Sequence, residues 1–332
     1  MWKPRSWKRF FFIIAMILIG GIVVGSLMLL YYAFQVPDPS ILTVRRINES
    51  TKIYDRTGTK LLYDVHGEEK RTVISWDQMP ESIKKATLAS EDNDFYTHGG
   101  IDLKGIVRAL YRDITNLQAA EGGSTITQQL VKNALVGKDK TLSRKIKEAI
   151  LSIQIERAYS KDQIFWMYLN QIPYGSNAYG IEAASQTFFE KPASQLSLKE
   201  AAMLASIVKA PSYYSPYGNH TDQLATRANY VLKRMHDLRL ITETEYRQAE
   251  AEQLAVVPLK GEFAAAHFVK NVLQPYLVDK YGDDLLENGG LNVVTTLDLD
   301  MQKIAEEAVK KYGAINEKSY KANNAALVAV DP

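Results

Sequence analysis

The sequence predicts a mainly α-helical protein with an N-terminal transmembrane helix and a small β/mixed linker element, on three observations. Residues 10–34 form an unbroken apolar and small-residue run of about 25, enough to cross a bilayer with some tilt. From Asp77 to about Glu252 apolar residues recur at helical spacing, in segments joined by short Gly, Pro and Ser breaks. Strand character is confined to a few short runs. Residues 51–65 read as a hairpin of two β-rich runs around a Gly-containing turn, and residues 291–296 read as a later strand.

The flanks justify the first element. Lys3, Arg5, Lys8 and Arg9 precede the apolar run and place the N-terminus on the cytoplasmic side. The run is too long for a signal-peptide core and lacks a small-x-small cleavage site, so it reads as an uncleaved signal anchor. Trp2, Trp7, Tyr31 and Tyr32 fall near the two interfaces, and everything after Gln35 faces outward. Val36-Pro37-Asp38-Pro39-Ser40 is a stiff exit from the membrane. At the far end, Pro258-Leu259-Lys260-Gly261 breaks the helical pattern. A helix near 264–280, the strand at 291–296, a helix over 300–312 and a final strand-like run at 325–330 follow.

Composition removes several function classes. A chain of 332 residues with 46% hydrophobic content supports a sizeable core and one smaller unit. The net charge of +2 supplies no global field for nucleic acid. Cysteine is absent, which excludes disulfides, thiol nucleophiles and cysteine–zinc sites. His66, His98, His220, His236 and His267 are scattered without a ligand spacing, which argues against a histidine-built metal site.

Three stretches carry chemistry. The first is Ser90-Glu91-Asp92-Asn93-Asp94-Phe95-Tyr96-Thr97-His98-Gly99-Gly100-Ile101-Asp102, a carboxylate-rich loop between two helical runs. A run over 81–89 with Pro80 at its start leads in. Leu103, Ile106, Val107 and Leu110 at helical spacing, capped by Asp102, lead out. Taken alone, the loop is equally a solvated acidic turn. The second stretch is Gly122-Gly123-Ser124-Thr125-Ile126-Thr127-Gln128-Gln129-Leu130-Val131-Lys132-Asn133, a capping box opening a helix whose free amides suit an anion. An ordinary capped helix accounts for Ser124 and Thr125, but not for Gln128, Gln129, Lys132 and Asn133 aligned behind them. In the third, Leu142, Ile146, Ala149, Ile150 and Ile153 form the buried stripe of an amphipathic helix. Lys140, Arg144 and Glu148, at successive intervals of four, stack on another face. That column reads as a solvent-facing charge ladder or as two cations and a carboxylate presented to a diphosphate. Glycosyl transfer needs both parts: a base for an acceptor hydroxyl and cations for a departing phosphate.

Taken together, these stretches resemble the family 51 glycosyltransferases, the peptidoglycan-polymerising domain of class A penicillin-binding proteins and monofunctional transglycosylases. Five motifs occur in order. They are Glu91-Asp92-x-x-Phe95-x-x-His98-x-Gly100-x-Asp102; Gly123-Ser124-Thr125-Ile126-Thr127-Gln128-Gln129 with Lys132-Asn133; and Arg144-Lys145-x-Lys147-Glu148. The fourth runs through Tyr168-Leu169-Asn170, Tyr174-Gly175, Ala178-Tyr179-Gly180-Ile181, Ala183-Ala184 and Phe188-Phe189. The fifth is Leu196-Ser197-Leu198-Lys199-Glu200-Ala201-Ala202-x-Leu204-Ala205, followed by Ala210-Pro211-Ser212.

The resemblance implies a lysozyme-like fold polymerising lipid II at the outer membrane face, with undecaprenyl diphosphate released. By position, Glu91 matches the family's general base, which takes the proton of the acceptor's 4-hydroxyl. Glu148 matches the second glutamate, associated with the donor diphosphate and its divalent metal, Mg or Mn, and no organic cofactor is implied. Ser124, Gln129, Lys132 and Arg144 match donor-site residues. Asp92, Phe95, His98, Thr125, Gln128, Asn133, Lys140 and Lys145 lie in the same motifs and are expected to line the substrate site. The implied partners are lipid II, the growing glycan chain, the membrane and cell-wall synthesis or division proteins. Lys140 stands where the family commonly has Arg, Trp166 where it usually has Glu, and Glu190 where it commonly has Gly.

These readings divide the chain into an anchor (1–35), an extracytoplasmic stem with the hairpin (36–76), a glycosyltransferase domain (77–255) and a linker towards a transpeptidase (256–332). A transpeptidase needs Ser-x-x-Lys, Ser-x-Asn and Lys-Thr-Gly together. Ser82-Ile83-Lys84-Lys85 and Ser206-Ile207-Val208-Lys209 match the first inside predicted helices, and the other two patterns do not occur, so the chain is expected to lack that domain. Residues 110–121 are expected to form a mobile flap: 110–117 begin as a helix continuation, but Gln118-Ala119-Ala120-Glu121-Gly122-Gly123 lacks a buried stripe and ends in two glycines. A lysozyme-like glycan hydrolase or lytic enzyme and an inactive membrane-tethered scaffold are the competing functions. Lys132, Lys140 and Arg144 argue against hydrolysis, which has no diphosphate to stabilise, and intact Glu91 and Glu148 argue against inactivity.

Overall fold

The computed structural model describes residues 5–40, 48–67, 69–105, 107, 123–136, 141–258, 265, 268–322 and 325–330. Lys140 and the segment 110–121 lie outside them. The chain divides into two compact units, one of Met1–Arg46, Ile74–Tyr174 and Pro192–Leu254, the other of Ile47–Val73, Gly175–Lys191 and Ala255–Pro332. In chain order, the first unit contributes α1 (Arg5–Ala33), α2 (Glu81–Glu91), α3 (Ile126–Val131), α4 (Leu142–Ala158) and α5 (Lys161–Gln171). Helix α6 (Ile181–Phe189) belongs to the second unit, and α7 (Leu198–Val208), α8 (Thr221–Asp237) and α9 (Glu243–Ala251) return to the first. Helices α10 (Gln274–Tyr281), α11 (Asp283–Asn288) and α12 (Leu299–Tyr320) complete the second.

In the first unit, helix starts are written into the sequence. Thr125, Ser160, Ser197 and Thr242 each accept from the amide three residues on, while Gln128, Gln163, Glu200 and Glu245 reach back to close a capping box. Helix α7 is the hub: Lys199 to Ile207 are all buried, and it packs against α2 and α8. A helix apolar nearly all round belongs inside a core, and its alanines let the neighbours approach closely. Both Ser-x-x-Lys matches fall on these helices. The Ser82 hydroxyl donates to the Leu196 carbonyl at 3.2 Å, and the Ser206 hydroxyl to Ala202 at 2.7 Å. Helix α1 includes the apolar span Phe10–Ala33, 24 residues with a mean hydropathy of 2.8 and no burial against the protein. Its end touches α4, with Lys147 Nζ 5.8 Å from the centre of the Tyr32 ring.

Trp166, the departure from the usual Glu, has a local explanation. Its indole N–H donates to the Ile74 carbonyl at 2.7 Å, beside Asn170, which bonds both the N–H and the carbonyl of Ile74 at 3.1 Å. The aromatic side chain thus helps satisfy a backbone group beside the buried Asn170.

The second unit brings the early hairpin and a late strand into one sheet. Strand Thr51–Tyr54 pairs antiparallel with Leu61–Val65, the expected hairpin, and parallel with Asn292–Val294 on its other edge. Its core is Ile53, Leu62, Val65, Val269, Leu277, Leu286 and Leu299. Each such side chain contributes roughly 1.5–3 kcal/mol when fully buried. Helix α6 ends at Glu190 in the left-handed region, φ 54° and ψ 34°. This is the conformation glycine adopts without penalty, which fits the glycine that the resemblance leads one to expect at this position.

Several expectations are corrected. Helix α2 runs through Glu91, so the glutamate sits in a helical last turn and not in the loop. Helix α12 extends to Tyr320, and the helix expected near 264–280 is a π-helical Phe268–Leu273 followed by α10. Residues 325–330 are exposed and form no strand. The largest correction is α4. Its buried positions are Glu148, Leu151, Ser152 and Ile155, whereas Leu142 is 73% exposed and Ile153 37%. Ile146, Ala149 and Ile150 are half-buried. The helix turns Glu148 inward because Arg144 and Lys145 pair with it there, and Leu142 and Ile153 of the expected stripe sit nearer the surface.

Candidate active site

Asp92 fastens the first two motifs together. It follows the last turn of α2, is buried, and takes His98 Nε2 at 3.0 Å on Oδ1 and the Ile126 N–H at 3.0 Å on Oδ2. The Thr125 hydroxyl donates to the Gly100 carbonyl at 2.7 Å. Gly100 has φ +84°, and a Cβ there would lie 2.8 Å from the Ser152 carbonyl oxygen, so the position requires glycine. Gln128 is buried in its reciprocal cap with Thr125. The anion expected at the start of α3 is therefore Asp92 of the protein itself. Phe95, fully buried, packs on Phe165 at 5.5 Å between ring centres, with Lys161 Nζ 4.3 Å from its ring centre.

Glu91 is held by uncharged donors. Gln129 Nε2 donates to Oε2 at 2.8 Å and the Ser90 hydroxyl to Oε1 at 3.1 Å. Behind Gln129, the Tyr168 hydroxyl donates to its Oε1 at 3.3 Å. Tyr168 and Tyr174 are fully buried. Burial first, then the negative charge of Glu91, pushes both hydroxyls above the ordinary tyrosine range, so both stay protonated. The Tyr174 hydroxyl has no hydrogen-bond partner among the described residues.

Glu148 is held by cations. It is 1% exposed, and Arg144 Nη1 lies 2.6 Å from Oε2 while Lys145 Nζ lies 2.7 Å from Oε1. Lys145 also donates to the Ser124 hydroxyl at 3.0 Å, tying α4 to the residue before the Thr125 cap. A solvent-facing ladder is thereby excluded for Arg144 and Glu148. Lys132 is half-buried at the end of α3, and Asn133 is exposed beside it. The donor set does not fit a divalent metal held by the protein. Both Glu148 oxygens already accept from cations, which would repel a further one, and among the described residues no three His, Asp or Glu group to hold a metal.

Other contributors were not singled out as site residues from the sequence. Arg234 on α8 donates through Nε to the Ala89 carbonyl at 2.5 Å and through Nη2 to Asn93 at 3.2 Å, satisfying the open end of α2. Arg227, one heptad earlier, reaches the Ser90 hydroxyl at 3.5 Å. Two arginines spaced by seven beside the buried stripe of Leu224, Ala228, Val231 and Met235 were the available signal. Tyr168 and Tyr174 lay inside the fourth motif without an assigned role.

The helical unit thus buries one glutamate between cations and holds another with neutral donors, and its first helix is long and apolar enough to cross a membrane. The family model for transglycosylases matches residues 58–236, more than half of the sequence, and the chain belongs to that family. It is 40% identical over 292 residues to penicillin-binding protein 1A of Aquifex aeolicus, covering 88% of this chain and 40% of that one. To penicillin-binding protein 1F of Bacillus subtilis it is 37% identical over 318 residues, covering 94% and 43%. The chain thus spans about 40% of the length of these relatives. The crystal structure of penicillin-binding protein 1A from Haemophilus influenzae aligns over 86% of this chain and 33% of its own, with 22% identity and a TM-score of 0.45.

Proposed function

We propose that the chain is a peptidoglycan glycosyltransferase that polymerises lipid II into glycan strands at the outer face of the cell membrane. Glu91 acts as general base: it takes the proton from the acceptor's 4-hydroxyl as that oxygen attacks the donor's anomeric carbon. The anomeric carbon–oxygen bond breaks, and undecaprenyl diphosphate leaves. Arg144 and Lys145, held by Glu148, and Lys132 face the charge that develops on the leaving group. Magnesium or manganese, in this reading, accompanies the diphosphate as part of the substrate and is not held by the protein.

The observation that carries the reading is the Glu91 carboxylate, held at 2.8 Å and 3.1 Å by neutral donors within the segment that matches the transglycosylase family. Such donors fix a carboxylate without neutralising it, which suits proton abstraction. The basic residues before the Phe10–Ala33 span support a cytoplasmic N-terminus and an outward catalytic unit. Cell-wall synthesis or division proteins are the partners this reading expects. Incubation with labelled lipid II tests it: polymer is the expected product. Release of short glycans from preformed strands would indicate a hydrolase, and no turnover of either a scaffold.

A further inference from the structure

We propose that Tyr168 is a positioning residue for this reaction, anchoring the Gln129 amide so that its NH2 group stays on Glu91. The inference rests on Glu91 being the general base.

Gln129 has two chemically different ends, and each has one matched partner. Its Nε2 reaches Glu91 Oε2 at 2.8 Å, and its Oε1 takes the Tyr168 hydroxyl at 3.3 Å. An ionised carboxylate only accepts hydrogen bonds, so Glu91 is satisfied by the NH2 end and repelled by the carbonyl end. The carbonyl end then needs a donor in a place where Tyr168 is fully buried. Without that hydroxyl, Oε1 would be left without its partner, and the amide would gain by swinging towards another donor or water. Tyr174, the second buried hydroxyl at this place, bonds nothing among the described residues and so makes no second anchor for the amide.

The consequence falls on the base. With Gln129 on Oε2 and Ser90 on Oε1, the carboxylate plane of Glu91 is fixed from both sides. A general base must lie within hydrogen-bond reach of the proton it takes, and a small rotation of a carboxylate moves its oxygens by a sizeable part of that reach. Tyr168 itself touches no reacting atom in this reading. Its loss should therefore lower kcat and leave KM unchanged.

Steady-state polymerisation by the full membrane-anchored chain in detergent, with lipid II as substrate, tests this. Tyr168→Phe is expected to lower kcat about five- to tenfold, the worth of one hydrogen bond, with KM within about twofold of the parent. Tyr168→p-aminophenylalanine restores a donor at the same place and is expected to recover kcat to within about twofold. In a Gln129→Ala background the Tyr168→Phe penalty should shrink to less than about twofold, because the relay is already cut. An unchanged kcat in Tyr168→Phe, no recovery with the amino variant, or the same penalty in both backgrounds would overturn the proposal. Glu91→Gln, run alongside, keeps the two assignments separable. Turnover by that variant would remove the base assignment, whereas its inactivity beside a fully active Tyr168→Phe would remove only the relay.

Discussion

Glu91 and Glu148 lie in one helical unit, on α2 and α4, yet Glu91 receives the Gln129 amide and the Ser90 hydroxyl while Glu148 sits between Arg144 and Lys145. The bonds at 2.6 and 2.7 Å join two ionised partners each, and they fix the cations as firmly as the carboxylate. Glu148 is thus an organiser of positive charge. Glu91 receives uncharged donors, which fix its carboxylate without pairing it to a cation. Two identical side chains acquire different chemistry from their neighbours alone.

The largest expected effect comes from the neutral side. Glu91→Gln keeps the shape and removes the base, so polymerisation should fall by about 10²–10⁴-fold with an unchanged melting temperature. Near-normal turnover would break the comparison at its centre. On the charged side, Glu148→Gln should lower both activity and stability, because Arg144 and Lys145 lose their common partner. The expected destabilisation is roughly 2 kcal/mol by denaturant unfolding. That is below the 3–5 kcal/mol of a fully buried pair, since both cations keep a route to water. Stability loss without activity loss would reduce Glu148 to a packing element.

Separating the two cations sharpens the contrast. Arg144 is 17% exposed and Lys145 45%. Arg144→Ala should therefore impair donor use more than Lys145→Ala, read as kcat/KM for lipid II, with the gap widening at high salt as the more exposed Lys145 charge is screened. Equal effects would place the two cations in equivalent roles.

Tyr174 tests the neutral side more gently. Its buried hydroxyl lacks a partner among the described residues, so Tyr174→Phe should stabilise the protein by about 1 kcal/mol. The pH dependence has a definite sign. The folded-state pKa is raised above the ordinary value of 10.0, so above that pH the unfolded chain loses the proton while the folded chain keeps it. Stability then falls as pH rises past about 10, and the fall should be shallower in Tyr174→Phe. Urea midpoints measured from pH 8 to 11 check both statements. The smallest effect is expected at the end of α6. Glu190→Gly, at a left-handed position, should raise stability by up to about 1 kcal/mol with polymerisation unchanged.

Much of this was legible from local chemistry. The capping box at Thr125 announced its helix, and the hairpin at 51–65 formed as read. Gly100 stood in the first motif, but its reason, the Ser152 carbonyl 2.8 Å from any added Cβ, is a contact 52 positions away. Arg227 and Arg234 carried no motif and became visible only where α8 meets the end of α2.

The sequence by itself determined the apolar span, the helix starts, the five ordered motifs and the two glutamates, because each depends on spacing within a short stretch. Tertiary structure decided which way α4 faces. Hydropathy put Leu142 and Ile153 inside and Glu148 outside, and pairing with Arg144 and Lys145 reversed it. It also decided that Thr51–Tyr54 shares a sheet with Asn292–Val294, and that the amide of Ile126 meets Asp92 and not a ligand. The reason is common to all three. A periodic pattern records how polar each face is, whereas burial of charge and pairing of distant strands depend on partners that only the folded chain brings within hydrogen-bond distance.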